Sequence, residues 1–223
     1  MQLSITLVIV IITALVSIGA FSNQKMMDDM IFNPPAITKR GQFYRFFTHG
    51  FIHADWGHLI FNMIALWSFG EGLEKVFSFD CVFDKWSKLL YLFLYFSALF
   101  MASFPDYLKY KDSYHFRSLG ASGAVSAVIF SMILFFPQTP IRIFFIPIDI
   151  PGWIFGLVYL GISAYLDKRG GGKINHSAHF WGAAYGIILT ILYCVFFANN
   201  FDIFENFKTQ IQSSSKDLVL LCQ

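Results

Sequence analysis

The chain has 223 residues, of which 56% are hydrophobic and only 13% charged, with a formal net charge of +2 and a mean hydropathy of +0.57. Ordinary soluble domains carry roughly 25% charged residues, so this composition excludes them and points to a polytopic membrane protein surrounded by a lipid bilayer. A surplus of two charges without a basic run excludes nucleic acid as a partner.

In chain order, six apolar segments approach the roughly 20 residues that a bilayer-crossing helix needs. They are Leu3–Phe21, Gly57–Phe77, Lys88–Phe104, Leu119–Phe136, Trp153–Tyr165 with its apolar flanks, and Phe180–Phe197. The first has no basic stretch before it and is long for a signal-peptide core, so it is read as a transmembrane helix. The expected fold class is therefore all-α, a polytopic bundle of six transmembrane helices. Residues 22–53, with Pro34-Pro35, charges and aromatics, form a long first loop expected to rest partly in the interface. Residues 1–207 make the transmembrane domain and 208–223 a C-terminal tail. No internal repeat is visible, which argues against a transporter of duplicated halves. Cys81, Cys194 and Cys222 share no CxxC spacing and suggest neither a disulfide framework nor a zinc knuckle.

Polar residues inside apolar segments are functional candidates. Ser122 lies in Gly120-Ala121-Ser122-Gly123 at the start of the fourth segment, His58 near the start of the second, and His179 near the start of the sixth. Even-numbered segments run in the same direction, so all three residues lie at one membrane face. His58 and Asn62 are four apart and share a helix face. His179, Gly182 and Gly186 fall on one stripe whose small residues admit a close helix neighbour, and Gly120 and Gly123 do the same around Ser122. That arrangement suits a serine nucleophile activated by an imidazole base. His58, Asn62 and the Ser122 N–H are candidate donors to the oxyanion of the tetrahedral intermediate. No aspartate is placed to complete a triad, since Asp106 and Asp112 are expected in a loop and Asp55 precedes the second segment. The chemistry is a Ser-His dyad needing neither metal nor cofactor. A haem or metal site built from the histidine clusters is the alternative, but it leaves the Ser122 motif unexplained and lacks an HExxH pattern.

The segment from Arg45 to Met63, containing His49, His53, His58 and Asn62, together with Gly120-Ala121-Ser122-Gly123 and Ala178-His179-Phe180-Trp181-Gly182-Ala183-Ala184-Tyr185-Gly186, resembles the rhomboid family of intramembrane serine proteases. The resemblance covers most of the chain from Arg45 onward. It implies Ser122 as nucleophile, His179 as base, His58 and Asn62 as oxyanion donors, and a six-helix fold with the fourth helix surrounded by the others. It also implies substrates that are themselves transmembrane proteins, cleaved near a membrane face. A catalytically inactive relative that binds membrane helices is the other reading within the family. Arg45 and Glu74 match polar positions that support the fold. One departure stands out: many bacterial relatives carry a tyrosine four residues after the nucleophile that packs on the base, and here that residue is Ser126.

The family arrangement implies an integral protein of the cell membrane with its catalytic face external. Charge argues the other way. Ten of the sixteen Lys and Arg fall on the Ser122 face, among them Lys39, Arg40, Arg45, Arg117, Lys168 and Arg169, and six on the opposite face. The positive-inside rule would put that richer face in the cytoplasm.

Overall fold

The computed structural model describes residues 3–143, 146–170 and 174–213. A helix forms at each of the six apolar segments. The first is α1 (Ile5–Phe21), started by the Ser4 hydroxyl, which accepts the Leu7 N–H at 3.1 Å. The chain then folds into three short helices, α2 (Gln24–Met30), α3 (Pro34–Arg40) and α4 (Arg45–Thr48). The remaining long helices are α5 (Trp56–Phe77), α6 (Ser87–Tyr110), α7 (Ser122–Phe135), α8 (Gly152–Arg169) and α9 (His176–Phe197), with α10 (Ile203–Ser213) after them.

Two stretches, Asp84–Tyr110 and His176–Phe197, are long and apolar enough to cross a membrane, while α1 and α7 are shorter apolar helices. The expectation of six crossing helices is thus met in position by six helices, and in length and apolarity by two. Helix α5 carries Glu71, Glu74 and Lys75 in its final turns, and α8 carries Asp167, Lys168 and Arg169.

Helix α7 sits at the centre, packed against α5, α6, α8, α9 and α10. Its sequence is apolar nearly all round, as suits a helix enclosed by other helices or by lipid. Residues Ala124–Val128 are accordingly all buried. At the end of α7 away from Ser122, Phe77 packs edge-on against Phe83 at 4.7 Å and Phe135 at 6.0 Å between ring centres. Nearby, the Glu74 carboxylate accepts the Ile5 N–H at 2.9 Å and the Thr6 N–H and hydroxyl at 3.0 Å each. A carboxylate at this helix N-terminus meets two free donors and the positive end of the helix dipole. It thereby fixes α1 against α5.

The structure departs from the expected layout in five places. The first loop is ordered: Asn23 caps α2, and Asn33 caps α3 ahead of Pro34-Pro35, while Gly41 ends α3 with φ +67°. These helices have their own core, in which Phe32, Ile37 and Phe46 pack against Phe100, Phe104, Tyr107 and Phe116. The fold is also not purely helical, because β1 (Pro140–Ile143) and β2 (Ile146–Pro151) form an antiparallel hairpin between α7 and α8. Alternating isoleucines on both strands supply the two-residue period, and Arg142 pairs with Asp149 across it. Asp106 is not in a loop, since α6 continues through Pro105 to Tyr110 and buries it. Cys81 is disulfide-bonded, where its lack of CxxC spacing suggests no disulfide framework. Cys194 is a buried free thiol, and Cys222 lies outside the described residues. The boundary drawn at residue 207 falls inside α10.

Candidate active site

The Ser122 turn is built by its glycine. Gly120 has φ +109°, a region that side chains with a Cβ rarely adopt. A methyl group there would also lie 2.6 Å from His58 Cε1 and 2.8 Å from its Nε2. Glycine therefore lets the His58 ring rest over the turn two residues before Ser122. The Gly120 N–H donates to the His49 carbonyl at 2.9 Å, and the Ala121 N–H donates to His53 Nε2 at 3.4 Å. His53 Nε2 is then the acceptor, so Nδ1 carries the proton and gives it to Ser17 Oγ of α1 at 3.1 Å. His53 thus joins α1 to the turn. Burial pushes the imidazole of His49 down to about 4 and that of His53, which also faces His58 and His49, down to about 3.

Helices α7 and α9 meet at glycines. A methyl group at Gly182 would lie 2.1 Å from the Gly123 carbonyl oxygen, and one at Gly186 would lie 2.4 Å from the Ala127 carbonyl oxygen. The neighbour of Ser122 therefore faces a residue one turn after His179. Higher up, Ala178, the neighbour of His179, faces Gly123 as well. Among the described residues no hydrogen bond joins Ser122 to His179, as is common before a substrate tightens a catalytic pair.

The candidate oxyanion donors lie on α5. Nδ1 of His58 accepts the Ala54 N–H at 3.4 Å, which leaves Nε2, the nitrogen near Gly120, as the donor. Asn62 is buried one turn on, with one amide hydrogen given to the His58 carbonyl at 2.9 Å. Helix α5 packs directly on α7. No three His, Cys, Asp or Glu side chains converge in a metal-holding group among the described residues.

Two features escaped sequence reasoning. The Tyr159 ring of α8 stacks on His179 at 6.1 Å and 20°, and its hydroxyl pairs with Ser126 Oγ at 2.8 Å. The serine at the departing position is thus the partner of a tyrosine brought in from another helix. Asn175 is the second feature. Its Oδ1 caps α9 by accepting the Ala178 N–H at 3.1 Å. Its Nδ2 donates to buried Asp106 at 2.7 Å and to Ser118 Oγ at 3.0 Å. One side chain therefore ties α6, the approach to Ser122 and the first turn of the His179 helix. An N-cap residue such as Asn175, immediately before His176, is legible in sequence; its link to Asp106 exists only through space.

The family model described as the rhomboid domain matches residues 40–196. RHOMBOID-like protein 12, mitochondrial, of Arabidopsis thaliana is 29% identical over 180 residues, covering 75% of this chain and 51% of that protein. Rhomboid protein 1, mitochondrial, of Saccharomyces cerevisiae is 29% identical over 138 residues, covering 62% of this chain and 38% of its own. Presenilin-associated rhomboid-like protein, mitochondrial, of Homo sapiens is 29% identical over 142 residues, covering 61% and 34%. The chain spans about half or less of the length of these curated relatives. Its matched domain, with the Ser122 turn closed over by His58 and the glycine contact between α7 and α9, makes the chain a member of the rhomboid family of integral membrane proteins.

Proposed function

We propose that this chain is an intramembrane serine endopeptidase that cleaves transmembrane segments of other membrane proteins near a membrane face. The observation that supports this most is the contact of Gly182 with Gly123, which sets the His179 turn against the Ser122 turn. In this mechanism Ser122 Oγ attacks the scissile carbonyl while the His179 imidazole takes the hydroxyl proton. The resulting oxyanion is met by His58 Nε2–H, the second amide hydrogen of Asn62 and the Ser122 N–H at the positive end of α7. Each such donor contributes about 3 kcal/mol in comparable sites. Cleavage of the C–N bond sends the His179 proton to the leaving amine. A water deprotonated by His179 then hydrolyses the acyl-serine and restores Ser122.

The proposed membrane placement has α1 and α5 to α9 as the six crossing helices. Helix α7, with 14 residues, is about 21 Å long at ~1.5 Å per residue, against a hydrocarbon core of about 30 Å. Such a short helix holds Ser122 below the lipid boundary but near one face, where water enters. The names of three relatives place them in mitochondria, so a mitochondrial membrane replaces the cell membrane expected from sequence. The catalytic face is assigned to the side opposite the N-terminus, which the accessibility of a tag inserted after Gly170 tests.

Cleavage of a model transmembrane substrate in liposomes by the wild type, with loss of about a thousandfold or more in Ser122→Ala, is the expected result. Equal cleavage by both would contradict the protease reading. The second reading is a silent relative that binds membrane helices. It predicts substrate binding with no cleavage.

A further inference from the structure

The excess of cations on the Ser122 face is not used by the protease chemistry, and four of them converge. A cavity of about 520 Å³ between α2, α3, α4 and the segment after α6 is lined by Lys39, Arg40, Arg45 and Arg117 together with Asp28 and Asp29. Four cations against two carboxylates leave a surplus of two positive charges in one concave space. Much of the framework is fixed by internal bonds. Arg117 pairs with Asp28 at 3.4 Å, and Lys39 donates to the Tyr114 hydroxyl while lying 4.6 Å from the centre of that ring.

Arg45 is the deepest of the four, only 5% exposed. Its Nε donates to Gln42 at 2.7 Å, and its Nη1 donates to the carbonyls of Asp28 and Ile31 at 2.8 and 2.7 Å. Among the described residues Nη2 makes no hydrogen bond, so one edge of a rigid, buried guanidinium is left to the cavity. Arg40, at the exposed end of α3, is in no ion pair among the described residues. Planar and ammonium donors converging on one hollow suit the oxygens of a phosphate. Around Arg45 the chain turns the opposite chemistry outward, with Phe43 61%, Tyr44 46% and Phe47 40% exposed. Aromatic side chains in that setting suit the lipid–water interface.

We propose that this cavity binds the phosphate headgroup of an anionic phospholipid, with the acyl chains lying along Phe43, Tyr44 and Phe47. Cationic hollows beside membrane helices bind such anionic headgroups. The site stands apart from Ser122 and His179, and it stands whether or not Ser122 is a nucleophile.

The full chain in neutral detergent is titrated with phosphatidylglycerol or with phosphatidylcholine, and both the thermal midpoint and the lipid retained in native mass spectrometry are read. Phosphatidylglycerol is expected to be retained and to raise the midpoint, whereas phosphatidylcholine does neither. Lys39→Ala/Arg40→Ala is expected to weaken the apparent affinity about tenfold or more. Lys168→Ala/Arg169→Ala removes two exposed cations of the same face outside the cavity and keeps wild-type affinity. Arg40→Glu serves as a second variant at an exposed position should the double change disturb folding. The proposal is overturned by equal response to the two lipids, by equal loss in both double variants, or by unchanged affinity in Lys39→Ala/Arg40→Ala and Arg40→Glu. Glycerol 3-phosphate separates the two sources of a phosphate. If it alone reproduces the whole shift and displaces the lipid, the occupant is a soluble phosphate and the lipid assignment falls.

Discussion

The Tyr159 ring lies nearly parallel to the His179 imidazole, 6.1 Å between centres and 20° between planes. Its hydroxyl is held by Ser126, one turn after Ser122 on α7. A base that must first face Ser122 and then the leaving amine gains from a fixed ring plane, and this contact supplies one. Tyr159→Leu is therefore expected to lower kcat roughly threefold to tenfold with little change in KM, the worth of an aromatic pair. Tyr159→Phe keeps the stack and is expected to stay near wild type. Steady-state cleavage by both variants checks this, and a Tyr159→Leu protein with wild-type kcat contradicts it.

The glycine contact gives a second prediction. Gly182 has the Gly123 backbone where a methyl group would go, and backbone cannot move aside as a side chain tip can. Gly182→Ala is expected to destabilise the protein by about 1–3 kcal/mol, as overpacking does, and to reduce Ser122 reactivity by separating α7 from α9. Gly161, also helical, has nothing within 4 Å of such a methyl. Gly161→Ala should leave Ser122 reactivity unchanged and keep or slightly raise the thermal midpoint, since alanine is the better helix former.

A third prediction concerns the clasp at Asn175. Replacing it with alanine removes the α9 cap and both bonds from Nδ2, leaving the Asp106 carboxylate buried without that donor. Loss of a cap costs about 1 kcal/mol, and the buried Asp106 carboxylate, which keeps Ser177 as a partner, loses one hydrogen bond worth about 1 kcal/mol more. Asn175→Ala should accordingly lower the thermal midpoint more than Asp106→Asn, whose amide oxygen still accepts from Asn175. The reverse order would contradict the clasp.

Acid should loosen the Ser122 turn. Burial holds His49 and His53 neutral in the folded chain until about pH 4 and about 3, whereas an unfolded histidine takes up its proton near 6.5. Between those limits the unfolded state binds more protons, so stability is full above 6.5 and falls as the pH drops toward 4. A protonated His53 would also turn a second donor toward the Ala121 N–H. Denaturation midpoints at pH 7.5 and 5.0 test the sign: the lower pH should be the less stable, with a smaller difference in His53→Asn. A midpoint that rises on acidification contradicts this.

Much of the candidate site's geometry is legible because its motifs sit at helix starts. Ser122 does begin α7, Gly182 and Gly186 do face it, and the second helix runs Trp56–Phe77 where Gly57–Phe77 was expected. What was missed depended on weaker or longer-range signals. Asn33-Pro34-Pro35 and Gly41 are start and stop marks for α3, but a segment mixing prolines, charges and aromatics reads as interfacial loop before it reads as helix. Pro105 reads as a stop, yet in α6 it only removes one donor and the helix runs on, which is why Asp106 is buried rather than exposed. The hairpin rests on a few alternating isoleucines, too short a run to stand out among apolar helices. Tyr159 carries no mark at all in sequence, because its meaning comes from two partners on other helices.

The central claim, that Ser122 is a nucleophile activated by His179, is tested most directly by labelling the full chain in detergent with a fluorophosphonate probe that needs no substrate. The wild type should be labelled at Ser122, identified by peptide mass. Ser122→Ala should show no label, and His179→Ala should be labelled at least about a hundredfold more slowly, the lower range for loss of a general base. Labelling of His179→Ala at the wild-type rate, or an unlabelled wild type that still binds transmembrane segments, would contradict the dyad.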